Sequence, residues 1–145
     1  QINLGMPVVI PENYIADLNL RLSIYRRIAA LADRGEIESF AAELIDRFGP
    51  LPRDVENLLD LVEIKQLCRA VGVARVDAGP KGAVIAMHPS SSIDIGRLVG
   101  YIAKQTGTAK IRPEDQKIGF MRAWDDLPLR IKGLNKILKE MVALL

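Results

Sequence analysis

One cysteine, Cys68, and one histidine, His88, make up the chain's whole stock of soft metal ligands. A lone cysteine excludes an internal disulfide, and a lone histidine cannot by itself build a metal centre or a Ser-His-Asp triad. Leu67 and Val71 flank Cys68 with apolar side chains, which predicts a buried, inert thiol. Aromatic residues are scarce, at 5%. No apolar run reaches the ~18 residues that a membrane-spanning helix needs. The chain opens Gln1-Ile2-Asn3-Leu4, with neither an initiator methionine nor a basic leader. The expectation is a cytoplasmic segment cut from a longer protein, with no membrane partner. There is no G-x-x-x-x-G-K-[ST] phosphate loop and no G-x-S-x-G elbow. Ser90-Ser91-Ser92 reads as a loop leading into a helix cap, and Asp125-Asp126 as helix-capping carboxylates. No enzyme, cofactor or metal site is expected.

What is present is a strong apolar framework, 49% of the residues, with a net charge of only +2. That composition excludes low-complexity disorder and gives one sizeable core. The charge is unevenly divided. Residues 1–72 hold 8 basic and 11 acidic side chains, and residues 73–145 hold 12 and 7.

The pattern predicts three helices followed by a ββαββα unit. Residues 1–12, with Met6-Pro7-Val8-Val9-Ile10-Pro11, read as an extended arm from an upstream region, because prolines at both ends disfavour helix. Residues 13–72 form a helical half. A first helix capped by Asn13 or Asp17 runs to about Ala32, with Leu18, Leu22, Tyr25, Ala29 and Ala32 on one stripe. Asp33 with Glu36 resembles a capping box that opens a second helix, ending where Gly49 and Pro50 stop it. Pro52 starts a third helix, which Gly72 ends.

Residues 73–145 change period. Val73–Ala78 and Ala83–Met87 flank a Gly79-Pro80-Lys81-Gly82 turn. A helix carrying Ile95, Leu98, Val99 and Ile102 follows, capped by Ser92 or Asp94. A second hairpin, Thr108–Arg112 and Lys117–Arg122, precedes a last helix with Leu127, Ile131, Leu134, Leu138, Met141 and Leu145 aligned. The fold class is α+β: a small antiparallel sheet covered by helices, residues 13–145 forming one domain.

The second helix separates its faces most cleanly. At 100° per residue, Ile37, Phe40, Ala41, Leu44, Ile45 and Phe48 occupy an arc of roughly 140°. The opposite arc holds Glu36, Ser39, Glu43, Asp46 and Arg47. Glu43 and Arg47 stand at i and i+4, in reach of each other. Glu43, Asp46 and Arg47, two carboxylates and a guanidinium on one small patch, suit either a solvated face or a docking face for a partner bearing arginines.

Asp17-Leu18-Asn19-Leu20-Arg21-Leu22-Ser23-Ile24-Tyr25-Arg26-Arg27-Ile28, together with Glu43-Leu44-Ile45-Asp46-Arg47-Phe48-Gly49-Pro50-Leu51-Pro52, resembles the C-terminal (TRCF) domain of bacterial transcription-repair coupling factors (Mfd). The resemblance extends from Pro11-Glu12-Asn13-Tyr14 to the last helix. It implies a non-catalytic regulatory domain of an ATP-driven DNA translocase that displaces stalled RNA polymerase and recruits nucleotide excision repair. It further implies an autoinhibitory clamp: the domain packs on an N-terminal UvrB-like domain of the same polypeptide and masks the surface that binds UvrA. Glu43, Asp46 and Arg47 are the positions the resemblance assigns to that contact. The fragment alone would be a monomer.

The alternative is a basic nucleic-acid-binding module. Lys104, Lys110, Arg112, Lys117, Arg122, Arg130, Lys132, Lys136 and Lys139 would supply its surface, with Phe120 and Trp124 left in the core. A third class is an assembly domain, joined through Leu144 and Leu145 or through the arm Pro7–Ile10.

Overall fold

The computed structural model describes residues 1–145 as five helices and five strands. They group into two compact units, residues 7–66 and residues 1–6 with 67–145.

In the first of these, Pro11 accepts from the amides of Tyr14 and Ile15 at 3.1 and 3.2 Å, folding the arm into a turn. Ile10 and Ile15 drop into the core as a result. Helix α1 (Leu18–Ala29) starts at Asp17, whose carboxylate accepts from the Asn19 amide at 3.1 Å. It ends three residues before Ala32, as the amides of Ala30 and Leu31 tighten onto the carbonyls of Arg27 and Ile28. Its buried residues are Ile24 and Ile28, whereas Leu18 and Leu22 are 58% and 43% exposed. The expected stripe is therefore rotated. A second apolar row, Leu20, Ile24, Ile28 and Leu31, has the same helical spacing and faces the core.

Helix α2 (Arg34–Phe48) is capped by Asp33, which accepts from the Glu36 amide at 2.9 Å. The Glu36 carboxylate turns back one residue further than a capping box requires, to the Ala32 amide at 3.2 Å. Gly49 takes φ +93° and closes the helix with a 2.9 Å bond to the Ile45 carbonyl. The Tyr14 hydroxyl donates to the Gly49 carbonyl at 2.8 Å, fixing that end of α2 to the arm. Helix α3 (Arg53–Val71) follows and contributes Val55, Leu58, Leu59 and Val62 to the same core.

The second unit holds a five-stranded sheet in the order β1-β2-β3-β5-β4. The hairpins form as expected, β2 (Val73–Gly79) with β3 (Gly82–Met87) and β4 (Ala109–Arg112) with β5 (Lys117–Met121), all antiparallel. Strands β3 and β5 join the two hairpins, also antiparallel. The α+β class holds, with one addition: Ile2–Asn3 forms β1, which lies parallel to β2 and makes the sheet mixed.

Val76, Ile85, Ile118 and Phe120 point to one side and are almost fully buried. Helix α4 (Ile95–Ala103) buries Leu98 and Ile102 and leaves Ile95 and Val99 66% and 48% exposed. Helix α5 (Leu127–Val142) buries Leu127, Ile131, Leu134, Leu138 and Met141, with Leu145 beyond its end half-exposed.

Candidate functional site

The polar arc of α2 lies at the surface. The Glu43 side chain keeps 36% of its exposure, and Asp46 and Arg47 are exposed. These three side chains are thus not drawn into the interior, and the apolar arc beneath holds them in place through buried Phe40 and Leu44. Ile45, at the edge of that arc, remains 48% exposed.

The sequence reading paired Glu43 with Arg47 alone. In the structure the stronger partner is Arg27, one helix away. Its guanidinium meets the Glu43 carboxylate in a two-pronged contact, Nη1 on Oε2 and Nη2 on Oε1, the latter at 2.7 Å. Arg47 Nη1 reaches Oε2 from the other side at 3.4 Å. Both guanidinium groups also sit over rings, Arg27 at 4.6 Å from the Phe40 centroid and Arg47 at 4.9 Å from that of Phe48. The carboxylate is therefore held between two cations that are themselves oriented by aromatic faces. Arg27 stands outside the α1 stripe chosen from spacing; its only sequence signal is its place in the Tyr25-Arg26-Arg27 run of the segment that resembles the family. Asp46 is exposed and makes no ion pair in the chain.

Arg27 first, and Arg47 less, hold the Glu43 carboxyl below its ordinary value of 4.5. The folded state thus gains from Glu43 ionisation at neutral pH, and that gain disappears as pH falls through the lowered folded value. Arg27→Ala should raise the Glu43 midpoint toward 4.5, and Arg47→Ala should raise it less. Side-chain carboxyl NMR titration checks this; equal shifts in the two variants would contradict the geometry.

The two motif segments meet here. The Tyr25 hydroxyl accepts from the Ile10 amide at 2.5 Å, Arg21 donates to the Ile15 carbonyl at 2.8 Å, and Tyr14 holds the end of α2. Arm, α1 and α2 are locked into one support for the charged patch.

Other candidates resolve simply. Cys68 is buried, and desolvation pushes its thiol up to about 11, as an inert cysteine requires. Ser90 Oγ lies 2.7 Å from His88 Nδ1, but both belong to one exposed turn. Asp126 caps α5, accepting from the Leu129 amide at 2.9 Å. No group of three or more His, Cys, Asp or Glu side chains is placed to hold a metal. No helix is long and apolar enough to cross a membrane.

The basic set proposed for nucleic acid loses members. Arg130 is 5% exposed and points inward, and Arg122 is committed to Gln105 and Thr108 at 2.9 and 3.0 Å. Phe120 and Trp124 are core residues. In the arm offered as an assembly surface, Ile10 is buried.

Fold and site together define a two-unit α+β domain whose polar α2 face carries a preorganised carboxylate–guanidinium cluster. The family model described as the TRCF domain matches residues 4–98, and the chain belongs to that family. It is 42% identical over 121 residues to a transcription-repair-coupling factor of Rickettsia bellii, covering 83% of this chain and 11% of that protein. To the Escherichia coli K12 transcription-repair-coupling factor it is 30% identical over 141 residues, 97% of this chain and 12% of that protein. The chain thus spans about an eighth or less of these two relatives. A crystal structure of the C-terminal domain of a transcription-repair coupling factor superimposes with a TM-score of 0.83 at 23% identity, covering 99% of this chain and 91% of that one.

Proposed function

We propose that this domain is the non-catalytic regulatory end of a transcription-repair coupling factor, and that the α2 face is an intramolecular latch. In this reading Glu43, Asp46 and Arg47 dock on an N-terminal UvrB-like domain of the same polypeptide and cover the surface that binds UvrA. An ATP-driven motor precedes it in the same polypeptide, and the whole works in the bacterial cytoplasm on DNA and RNA polymerase. The observation that carries the proposal is the build of the patch. Glu43 is fixed by two cations, while Asp46 is left exposed with no partner of its own.

A latch must hold and still release. A closed-state preference of about 3–5 kcal/mol leaves under about 1% open, within reach of a polar interface. Charge placed in register contributes specificity more than affinity, which suits a contact that has to break.

Asp46→Arg is the cleanest test, because Asp46 has no ion pair in this chain to lose. In the full-length protein it should raise UvrA binding tenfold or more, and Arg47→Glu should act in the same direction. The 145-residue chain carrying either change should keep its circular dichroism and Tm. Wild-type UvrA affinity in both variants, with the fold intact, would remove the latch. So would failure of the separate N-terminal domain to retain the 145-residue chain in a pull-down.

A further inference from the structure

The face of the sheet opposite Val76, Ile85 and Phe120 carries a hollow that the latch does not use. Strand register places Asp77, Val84, Gly119 and Lys110 in one row across β2, β3, β5 and β4. The next row holds Gly79, Gly82 and Met121. Three glycines therefore stand among seven positions, and they strip the middle of the face of side chains.

Only one of the three is required by the fold. Gly82 sits at φ +128°, and a Cβ there would lie 1.9 Å from the Phe120 carbonyl oxygen. Gly79 and Gly119 are not at positive φ, and a Cβ on either would meet nothing within 4 Å. Glycine within a strand is about 0.5–1 kcal/mol worse than a residue with a side chain, and such glycines often mark the close approach of another group. Here they open a hollow of about 500 Å³. Val84 and Met121, 39% and 56% exposed, give it apolar walls.

Its charge is one-sided. Lys81 and Lys110 are exposed on the rim and make no ion pair, and Lys117 stands just outside the hollow, in the row of Ala86 and Arg112 on the side away from Met121. The one carboxylate of the lining, Asp77, is already held by Arg75 at 2.8 Å and by Asn3. No aromatic ring is presented for base stacking, since Phe120 faces the core and is 2% exposed.

We infer that this hollow is a docking site for an acidic peptide segment in which glutamate or aspartate and aliphatic residues take turns at every second position, so that both kinds of side chain point to one face. Its carboxylates would meet Lys81, Lys110 and Lys117, and its aliphatic side chains would seat over Gly119 and Gly79 against Val84 and Met121. An extended strand presents alternate residues to one face, the pattern this surface reads.

The test is an amide NMR titration of the 145-residue chain with three probes. These are an acetylated seven-residue peptide with glutamate at positions 1 and 5, leucine at positions 3 and 7 and serine between, the same peptide with glutamine for glutamate, and a single-stranded thymidine oligonucleotide. The acidic peptide should shift the amides of Gly82, Val84 and Gly119 and bind at least tenfold tighter than the glutamine peptide. Lys110→Glu should weaken it about tenfold. Gly119→Val should abolish it while keeping or raising Tm, which separates a blocked site from a damaged fold. No shifts at millimolar peptide, shifts confined to another surface, or equal binding by Gly119→Val would overturn the inference. Binding by the oligonucleotide alone would assign the face to nucleic acid and overturn it equally. The latch variants leave this outcome untouched.

Discussion

Gly82→Ala should lower the stability of the chain by about 4 kcal/mol, a large part of the 5–15 kcal/mol that a domain usually has. Two causes add. The residue sits at φ +128°, where a β-carbon costs about 1–2 kcal/mol in backbone strain. The new methyl would also stand 1.9 Å from the Phe120 carbonyl oxygen and 2.9 Å from the Arg122 amide. Both neighbours are backbone atoms of the central β3–β5 pairing, so relief requires opening the ladder. Gly79→Ala is the matched control. It lies directly opposite Gly82 in the same hairpin and meets nothing. Thermal unfolding should show Gly82→Ala melting roughly 8–16 °C lower and Gly79→Ala within about 2 °C of wild type. Similar melting of the two variants would mean that the hairpin does not have this geometry.

Arg130→Leu should cost about 3 kcal/mol, through a guanidinium that serves as an internal tie. Arg130 is 5% exposed and donates from Nε to the Trp124 carbonyl at 2.9 Å, from Nη1 to Leu4 at 2.9 Å and from Nη2 to Asp125 at 3.2 Å. No carboxylate neutralises it. It stands in the first turns of α5, where the helix dipole disfavours a cation, so the three carbonyls must hold it. Leucine would leave those acceptors bare. Lysine would not rescue them, because one ammonium cannot span three separated acceptors as a planar fork does.

The damage should be local first. Leu4 follows β1 directly, and the Val76 amide donates to the Gln1 carbonyl at 2.9 Å. Hydrogen exchange at Val76 should therefore accelerate in Arg130→Leu well before the α2 core responds. Unchanged exchange at Val76 would show that Arg130 does not tether the strand.

Much of this architecture was readable in advance, and the failures have particular causes. Caps and stops were legible, two of the caps to within a pair, because a single side chain or a single φ decides them: Asp17 rather than Asn13, Asp94 rather than Ser92, and Asp33 and Asp126 bond the amides that open their helices. Both hairpins were legible from turn residues between alternating runs. Strand β1 was not, since two residues carry no periodicity. The α1 stripe was ambiguous because two apolar rows share the same spacing, and only packing selects Ile24 and Ile28 over Leu18 and Leu22. At the candidate site, helix phase alone put Glu43, Asp46 and Arg47 together. The Arg27 contact could not be seen that way, because it depends on how α1 lies against α2. Arg130 was placed on a basic surface because charge counts do not reveal which guanidinium turns inward.

The route of the backbone has a consequence for how the molecule comes into being. The chain starts in one unit, builds the other from residues 7–66, and then returns. The unit of residues 7–66 is uninterrupted and can condense while the ribosome is still adding later strands. The sheet is discontinuous, and β1 must wait more than seventy residues for β2. Bringing those ends together across a disordered loop would cost roughly 4 kcal/mol in chain entropy. A loop that has already condensed removes part of that cost, so the order in which the segments fold bears on when the sheet gains its first strand.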